Sequence, residues 1–274
     1  MALRVFDDHT RAANQTVWAL GDYALMAEEV MAPLGPVLVE AAGIGPGMRV
    51  LDVAAGSGNI SIPAAATGAD VVSSDLTPDL LRRSQARAAA LDLNIDYREA
   101  NAHALPFGDG EFDAVISAIG VQFAPDQQRA ADELVRVCRP GGTIGVISWT
   151  NEGFFGRMLS TIRPYRPSLS QAVPPATLWG RERYVTALLG DRVDRVKTAR
   201  GLLDVNRFDS AEAVHTYFKN NYGPTIETYA NICHNRLLSD DLDAQLVELA
   251  QQHLANGTMR WEYLLLTAEK RAEA

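Results

Sequence analysis

The stretch VLDVAAGSGNI, residues 50 to 60, constrains the fold of this 274-residue chain more than any other. Val50, Leu51 and Val53 make a short apolar, β-branched run of the kind that fills a strand covered on both faces. An acid, Asp52, stands inside that run, and Gly56 and Gly58 follow it. Glycines at the mouth of a buried strand let the backbone turn sharply or approach a ligand closely. Strand, acid and glycines together are the beginning of a nucleotide-type site.

The residues on either side extend this start into a repeating pattern. Residues 11 to 42 read as helical, and Gly43, Gly45, Pro46 and Gly47 interrupt them before the first strand. ISIPAAATG gives a short helix with Pro63 near its start and Gly68 as a stop. DVVSSD, 70 to 75, is a second strand. Thr77-Pro78-Asp79 then starts a helix that runs to about Leu91: a hydroxyl cap, a proline at the first helical position and an acid at the positive end of the dipole. NIDYREA (94 to 100) and FDAVISAIG (112 to 120) are the third and fourth strands. Ala131, Leu134, Val135 and Cys138 share one helical face, Pro140-Gly141-Gly142 ends that helix, and TIGVISW is a fifth strand. Strands alternating with helices require right-handed crossovers, so the expected fold class is α/β, doubly wound around a mostly parallel sheet.

After Trp149 the pattern changes. Residues 151 to 190 carry Pro164, Pro167, Pro174 and Pro175 and no clean strand. VDRVKTARGLLDV and MRWEYLLLTAEKR read as late strands, about 192–205 and 258–270, with a helical stretch from about 209 to 254 between them. The expected division is a helical cap over 1–42, a ligand-binding core over 43–150, and a completion of the sheet with chamber-forming insertions over 151–274.

A formal net charge of −9 argues against a phosphate-backbone partner, so nucleic acid is not expected. No stretch approaches the ~18 apolar residues of a membrane span, and the amino terminus lacks a signal-like apolar core. Cys138 and Cys233 form no metal-like pair and read as free buried thiols of a reducing, cytoplasmic setting. Between Arg157 and Arg207 ten basic residues face four acidic ones, a net +6 that leaves −15 elsewhere. Solvated arginines are the plain explanation of that excess; a lobe that attracts an anionic ligand is the sharper one.

Two nucleotide folds place glycines after a first strand. The dinucleotide fingerprint asks for G-x-G-x-x-G, and from Gly56 the chain offers G-S-G-N-I-S, with Ser61 in the third position. The rival pattern, D-x-A-x-G-x-G, is met by Asp52, Ala54, Gly56 and Gly58. Asp75, ending the second strand, suits a ribose diol in either fold.

At this point a resemblance emerges. VLDVAAGSGN, SSDLTPDLL, EANAHALPFGDGEFDAVIS and RVCRPGGTIGVISW occur in order and resemble the motifs of the class I S-adenosylmethionine-dependent methyltransferases, within the group related to ubiquinone and menaquinone biosynthesis. The likeness covers about residues 40 to 155. It implies a seven-stranded Rossmann-like methyltransferase sheet with helical additions forming a lid over the substrate. It also implies S-adenosyl-L-methionine as cofactor, S-adenosyl-L-homocysteine as product, no metal, and a small-molecule acceptor methylated on oxygen, nitrogen or carbon. By position, Ala54, Ala55, Gly56, Ser57 and Gly58 should face the methionine part, and Asp52 its amino group. Asp75 should take the ribose, Leu76, Asn101 and Ala102 the adenine, and Ala118 and Ile119 the sulfonium end.

Two departures from the family pattern stand out. Ala54 replaces the first motif glycine and is expected to keep a negative φ. Asn101 replaces an acid on the adenine side and can still accept a hydrogen bond, without charge.

Candidates for a general base are His215, His234 and Tyr23, while His103 reads as a loop histidine at the pocket rim. Trp18 and Tyr23 suit an aromatic lid over a sulfonium. Trp179, Tyr217, Phe218, Tyr222 and Tyr229 suggest that 151 to about 254 builds an acceptor chamber, and the arginine excess points to an anionic aromatic acceptor. A monomer or a homodimer is expected. Other readings of the same residues are a non-catalytic S-adenosylmethionine-binding module and a nicotinamide-dependent oxidoreductase, the latter disfavoured by Ser61 and Asp52.

Overall fold

The structure, a computed structural model, describes residues 15–167 and 173–272. The apolar runs become strands β1 (Arg49–Val53), β2 (Asp70–Asp75), β3 (Asp96–Glu99), β4 (Phe112–Ala118), β5 (Cys138–Trp149), β6 (Val193–Val205) and β8 (Thr258–Lys270), with a two-residue β7 (Leu254–Ala255) paired to β8. Their order in the single sheet is β3-β2-β1-β4-β5-β8-β6. The first five strands run parallel, and β8 lies antiparallel to both β5 and β6. The fold is therefore the Rossmann-like, mostly parallel sheet expected from the sequence. The two-residue β7 is the short arm of a hairpin closed by Asn256 and Gly257, whose positive φ values of 52° and 75° fit a two-residue turn.

Alternation along the strands divides the core. Val50 and Ile116 face one side, with the helix Leu34–Ala41 and a cluster of Trp149, Phe154, Phe155, Phe218 and Trp261. Leu51, Val53 and Val115 face the other, with Leu134, Trp179 and Val185. The helices α1 (Tyr23–Met26), α2 (Leu34–Ala41), α3 (Ser61–Ala66), α4 (Pro78–Ala89), α5 (Gln127–Val137), α6 (Phe154–Ile162) and α7 (Glu182–Leu189) cover the two faces. They are completed by α8 (Ala211–Asn221), α9 (Gly223–Ile232) and α10 (Arg236–His253).

Several local expectations are corrected. Residues 11–14 lie outside the described part, and 15–42 is not one helix. It comprises a helical turn at 15–18, a break at 19–22, α1, a π-helical segment Ala27–Met31, and α2. Gly21 makes the first break at φ 68°, where a Cβ would come within 2.6 Å of the Asn221 carbonyl oxygen, so the bend seats this segment against α8. Cys138 is not the last helical position: it leaves α5 in an extended conformation and starts β5, which absorbs Pro140-Gly141-Gly142 through a register shift against β4. The 209–254 stretch is three helices, broken at Tyr222, ahead of Pro224, and again before Asn235, whose side chain caps α10. Cys138 is buried as expected, but Cys233 is exposed.

Candidate active site

Strand order reverses between β1 and β4, and in open α/β sheets the crevice at the carboxyl ends beside such a switch point is where ligands bind. Two hollows open there. The outer one is lined by Trp18, Asp75, Leu76, Asn101, Ala102 and His103, among others. The inner one is lined by Asp52, Ala55, Ser57, Ile60, Ala118 and Ile119. Tyr23, Ala54 and Gly56 belong to both, so they stand at the junction of one continuous cleft.

The amino-terminal segment is tied down over this cleft. The Gln15 side-chain amide donates to the Leu76 carbonyl (3.0 Å), and the Asp22 carboxylate pairs with Arg83. Trp18 meets Tyr23 edge-on at 5.4 Å and Phe123 at 4.8 Å between ring centroids.

Two acids at strand ends dominate the electrostatics. Asp75 accepts the Gly56 N–H at one carboxylate oxygen and the Thr77 N–H at the other, both at 2.8 Å. It therefore fixes the glycine turn to the start of α4 while still lining the outer hollow. Burial raises its pKa above the ordinary carboxylate value, against the pull of those backbone donors. Asp52 is fully buried. Its Oδ2 accepts from the Ser61 hydroxyl (2.6 Å), which also reaches Ser73, while its Oδ1 has no partner. Burial pushes the Asp52 pKa up to about 7; the Ser61 hydrogen bond opposes this and the nearby Asp75 adds to it. An unpartnered carboxylate oxygen facing a hollow is a site for a cation or a strong donor.

Ala54 overturns the expectation of a negative φ: it sits at φ 55°, in the left-handed region. Gly120 makes room for it, since a Cβ there would lie 2.3 Å from the Ala54 carbonyl oxygen and 2.6 Å from its Cβ. Substituting Gly120→Ala is expected to destabilise the protein by about 1–3 kcal/mol through overpacking. Ala54→Gly, which relieves a left-handed alanine, should be neutral or stabilising by about 1 kcal/mol. Urea unfolding of the two variants checks both signs.

The other site residues fall as follows. Gly58, at φ 88°, lines neither hollow; a Cβ there would strike the Ser84 side chain at 2.2 Å, so this glycine lets α4 pack against the turn. The Asn101 side-chain oxygen already accepts the His103 N–H at 3.0 Å. His103 lines the outer hollow, and its Nε2 accepts from the Asp126 N–H at 3.2 Å, so the ring is neutral and has a structural partner. Burial also lowers its pKa.

Of the three base candidates only Tyr23 reaches the cleft, and burial together with Asp75 raises its pKa well above the ordinary phenol value, so it stays protonated. His215 lines neither hollow. Its Nε2 lies 2.9 Å from both the Tyr229 hydroxyl and Asp243, in a cluster that also holds Lys219 and ties α8, α9 and α10 together. His234 is exposed on the turn before α10.

A third hollow adjoins the cleft, with Trp18 and Phe123 as shared walls. Its other lining comes from Gln122, from Leu159, Ser160, Arg163 and Arg166, from residues 173–177, and from Pro224. It is a concave hollow of apolar walls with a few polar groups, the kind of lining that small-molecule sites have. The amino-terminal segment, through Val17 and Trp18, and the 151–254 segment both contribute to it, yet the aromatics named in the latter do not. Trp179, Tyr217, Phe218 and Tyr222 are buried in the core, and Tyr229 belongs to the His215 cluster. Their irregular spacing reflects helices packing face to face around Trp149 and Trp261.

Four of the ten basic residues pair with acids at the surface: Arg192 with Asp132, Arg195 with Glu269, Arg200 with Glu262, and Arg207 with Glu29. Arg163 and Arg166 line the hollow. Gln122 is the residue that sequence reading missed; a lone amide in the apolar run IGVQFAP was its signal. Among the described residues, no cluster of His, Cys, Asp and Glu could hold a metal ion, and no helix is long and apolar enough to cross a membrane.

Comparison with known proteins fits this geometry. Residues 51–146 match the family model described as a methyltransferase domain. An uncharacterized protein of Mycobacterium tuberculosis is 75% identical over 266 residues, 97% of each chain. A demethylmenaquinone methyltransferase of Renibacterium salmoninarum is 39% identical over 118 residues, 43% of this chain and 48% of that protein. Among solved structures, the phosphoethanolamine N-methyltransferase 2 of Haemonchus contortus in complex with S-adenosyl-L-methionine aligns with a TM-score of 0.55. It is 17% identical, over 88% of this chain and 53% of that one.

Proposed function

Because the chain belongs to the S-adenosylmethionine-dependent methyltransferases, we propose that it carries a methyl group from the sulfonium of S-adenosylmethionine to a small acceptor held in the hollow beside Trp18 and Phe123. The cofactor supplies an activated methyl carbon: the nucleophile's electron pair forms the new bond as the carbon–sulfur bond breaks, leaving S-adenosylhomocysteine. The chain's own contribution is alignment and exclusion of water.

The single observation that carries this reading is the orphaned Oδ1 of Asp52 in the inner hollow, with Asp75 placed at the outer one. A buried carboxylate with one oxygen unpartnered suits an amino-acid ammonium group and would repel a pyrophosphate, which argues against a dinucleotide here. In this reading Asp52 meets the methionine amino group, and the backbone of Ala54, Ala55, Gly56 and Ser57 borders the methionine chain. Asp75 takes the ribose hydroxyls, Leu76, Asn101 and Ala102 border the adenine, and Ala118 and Ile119 lie at the sulfonium end. Tyr23, protonated and at the junction of the two hollows, closes the cleft and can donate a hydrogen bond; it is not a base. Neither His215 nor His234 is placed to take a proton from an acceptor in the cleft. The reaction then depends on an acceptor that is already nucleophilic or loses its proton to water.

Titration calorimetry checks the cofactor assignment. S-adenosylmethionine and S-adenosylhomocysteine should bind in the micromolar range, and NADH should give no heat. Binding of NADH with no response to either sulfur compound would replace the reading by an oxidoreductase. Turnover of the bound cofactor with a methylated product separates an enzyme from a binding module.

A further inference from the structure

The third hollow contains a buried donor with nothing to donate to. Gln122 lies in the 3-10 turn Val121–Phe123 that follows β4. It is fully buried, and the Trp149 N–H donates to its Oε1 at 3.0 Å. That bond fixes which way the amide faces, since only the oxygen can accept. Its Nε2 is left without a partner.

A buried amide nitrogen is costly when it is unsatisfied, so its presence beside a cavity needs a reason. Gln122 is one of the residues lining the hollow. On the same rim stand the guanidinium groups of Arg163, which donates to the Val173 carbonyl (3.0 Å), and Arg166, which holds Glu227 (2.8 Å). Two further buried hydroxyls without partners, Tyr222 and Thr225, flank the lining residue Pro224, and the charge of Arg166 acts on the Tyr222 phenol. The remaining walls are apolar: Val17, Trp18, Phe123, Leu159 and the prolines at 174 and 175.

Resting on the reading of this hollow as the acceptor site, we propose that Gln122 is a specificity residue: its Nε2 donates a hydrogen bond to a carboxylate oxygen of the acceptor, which carries an apolar, flat body. The reasoning runs from chemistry to ligand class. An amide N–H needs an acceptor atom, and the two guanidinium groups lining the same hollow favour that atom being anionic. Trp18 and Phe123, shared with the cofactor cleft, provide aromatic faces for the body. A site built to hydrogen-bond an oxygen discriminates strongly against an analogue that lacks it, because the donor is then left unpaired.

The test uses the full-length protein, with and without S-adenosylhomocysteine, titrated with benzoate, 4-hydroxybenzoate and 2-naphthoate, and with 2-naphthalenemethanol as the neutral counterpart. At least one carboxylate should bind, and 2-naphthoate should bind at least tenfold more tightly than the alcohol. Gln122→Glu keeps the acceptor for the Trp149 N–H and replaces the donor by an oxygen. It should weaken carboxylate binding at least tenfold at pH 8, with S-adenosylhomocysteine affinity unchanged; the buried carboxylate lowers the melting temperature, so the retained S-adenosylhomocysteine binding is what reports a folded variant. Gln122→Met should lose the same affinity, with S-adenosylhomocysteine binding again the control for folding. The proposal is overturned if none of the carboxylates binds, if the alcohol binds as well as 2-naphthoate, or if Gln122→Glu binds the carboxylates like the parent. Failure of S-adenosylhomocysteine to bind while the carboxylates still depend on Gln122 would instead remove the methyltransferase reading and leave the anion site standing.

Discussion

Replacing Asp52 by Asn should make the protein without cofactor more stable at pH 8 than the parent, while weakening its hold on S-adenosylmethionine. The carboxyl of Asp52 is fully buried, and burial pushes its pKa up to about 7, whereas in an unfolded chain it titrates near 4. Between those values the folded state keeps a proton that the unfolded state has released. Stability therefore falls as pH rises through this window and remains lost above it. Three pH units correspond to about 4 kcal/mol, the upper bound on the difference; the new Asn amide, left without an acceptor at the position of Oδ1, takes back about 1–3 kcal/mol. The gain of the variant over the parent should therefore be absent near pH 4 and largest above pH 7.

Cofactor binding should run in the opposite sense. An ammonium partner favours the ionised acid, so the parent's affinity should rise with pH up to about 7 and then level off, by as much as tenfold per unit. The Asn variant should bind more weakly and show no such rise. Urea unfolding at pH 5 and pH 8, with calorimetry at the same two values, reads both effects. A stability difference that does not change with pH would show that Asp52 is ionised throughout.

Asp75→Ala should raise the dissociation constant for S-adenosylmethionine by roughly 10- to 150-fold, about 1.5–3 kcal/mol, from the loss of charge-assisted bonds to the ribose diol. The structure adds a second component. Asp75 also accepts the Gly56 and Thr77 N–H groups, so removing it leaves two backbone donors without partners and loosens the turn that borders the methionine chain. Asp75→Asn retains one accepting oxygen and should fall between the parent and the alanine variant. An alanine variant that folds and binds the cofactor as the parent does would place the ribose elsewhere.

Much of this site could be read in the sequence because its backbone is local. The order of the β1 turn, the β2 acid and the α4 cap is written in contiguous residues, and each uses a local preference: β-branched strand residues, glycine at positive φ, proline at the first helical position. The two late strands were legible for the same reason, as apolar runs of the right length. The hairpin at Asn256-Gly257 is equally local, but it falls in the short gap between the helical stretch ending near 254 and the last strand from 258, to which the sequence reading gave no structure.

Where the reading failed, the deciding partner is distant in the chain. Ala54 can occupy a left-handed conformation only because Gly120, more than sixty residues on, has no Cβ to meet it. Gly58 looked like a ligand-facing glycine but is fixed by the approach of Ser84. The aromatics after β5 suggested a chamber by composition, yet Trp179 was taken by the sheet face and Phe218 and Tyr222 by the helices around Trp149. His215 suggested a base until Asp243 and Tyr229 engaged it from neighbouring helices.

The sequence by itself determined the parallel sheet, the position of the cleft at the ends of β1 and β2, and the two acids that face it, since periodicity, caps and turn residues act over a few residues. Only the tertiary structure decided which polar groups are left unsatisfied in the interior: the Oδ1 of Asp52 and the Nε2 of Gln122. Whether a buried donor or acceptor is satisfied depends on atoms brought from elsewhere in the chain, and no local preference encodes that.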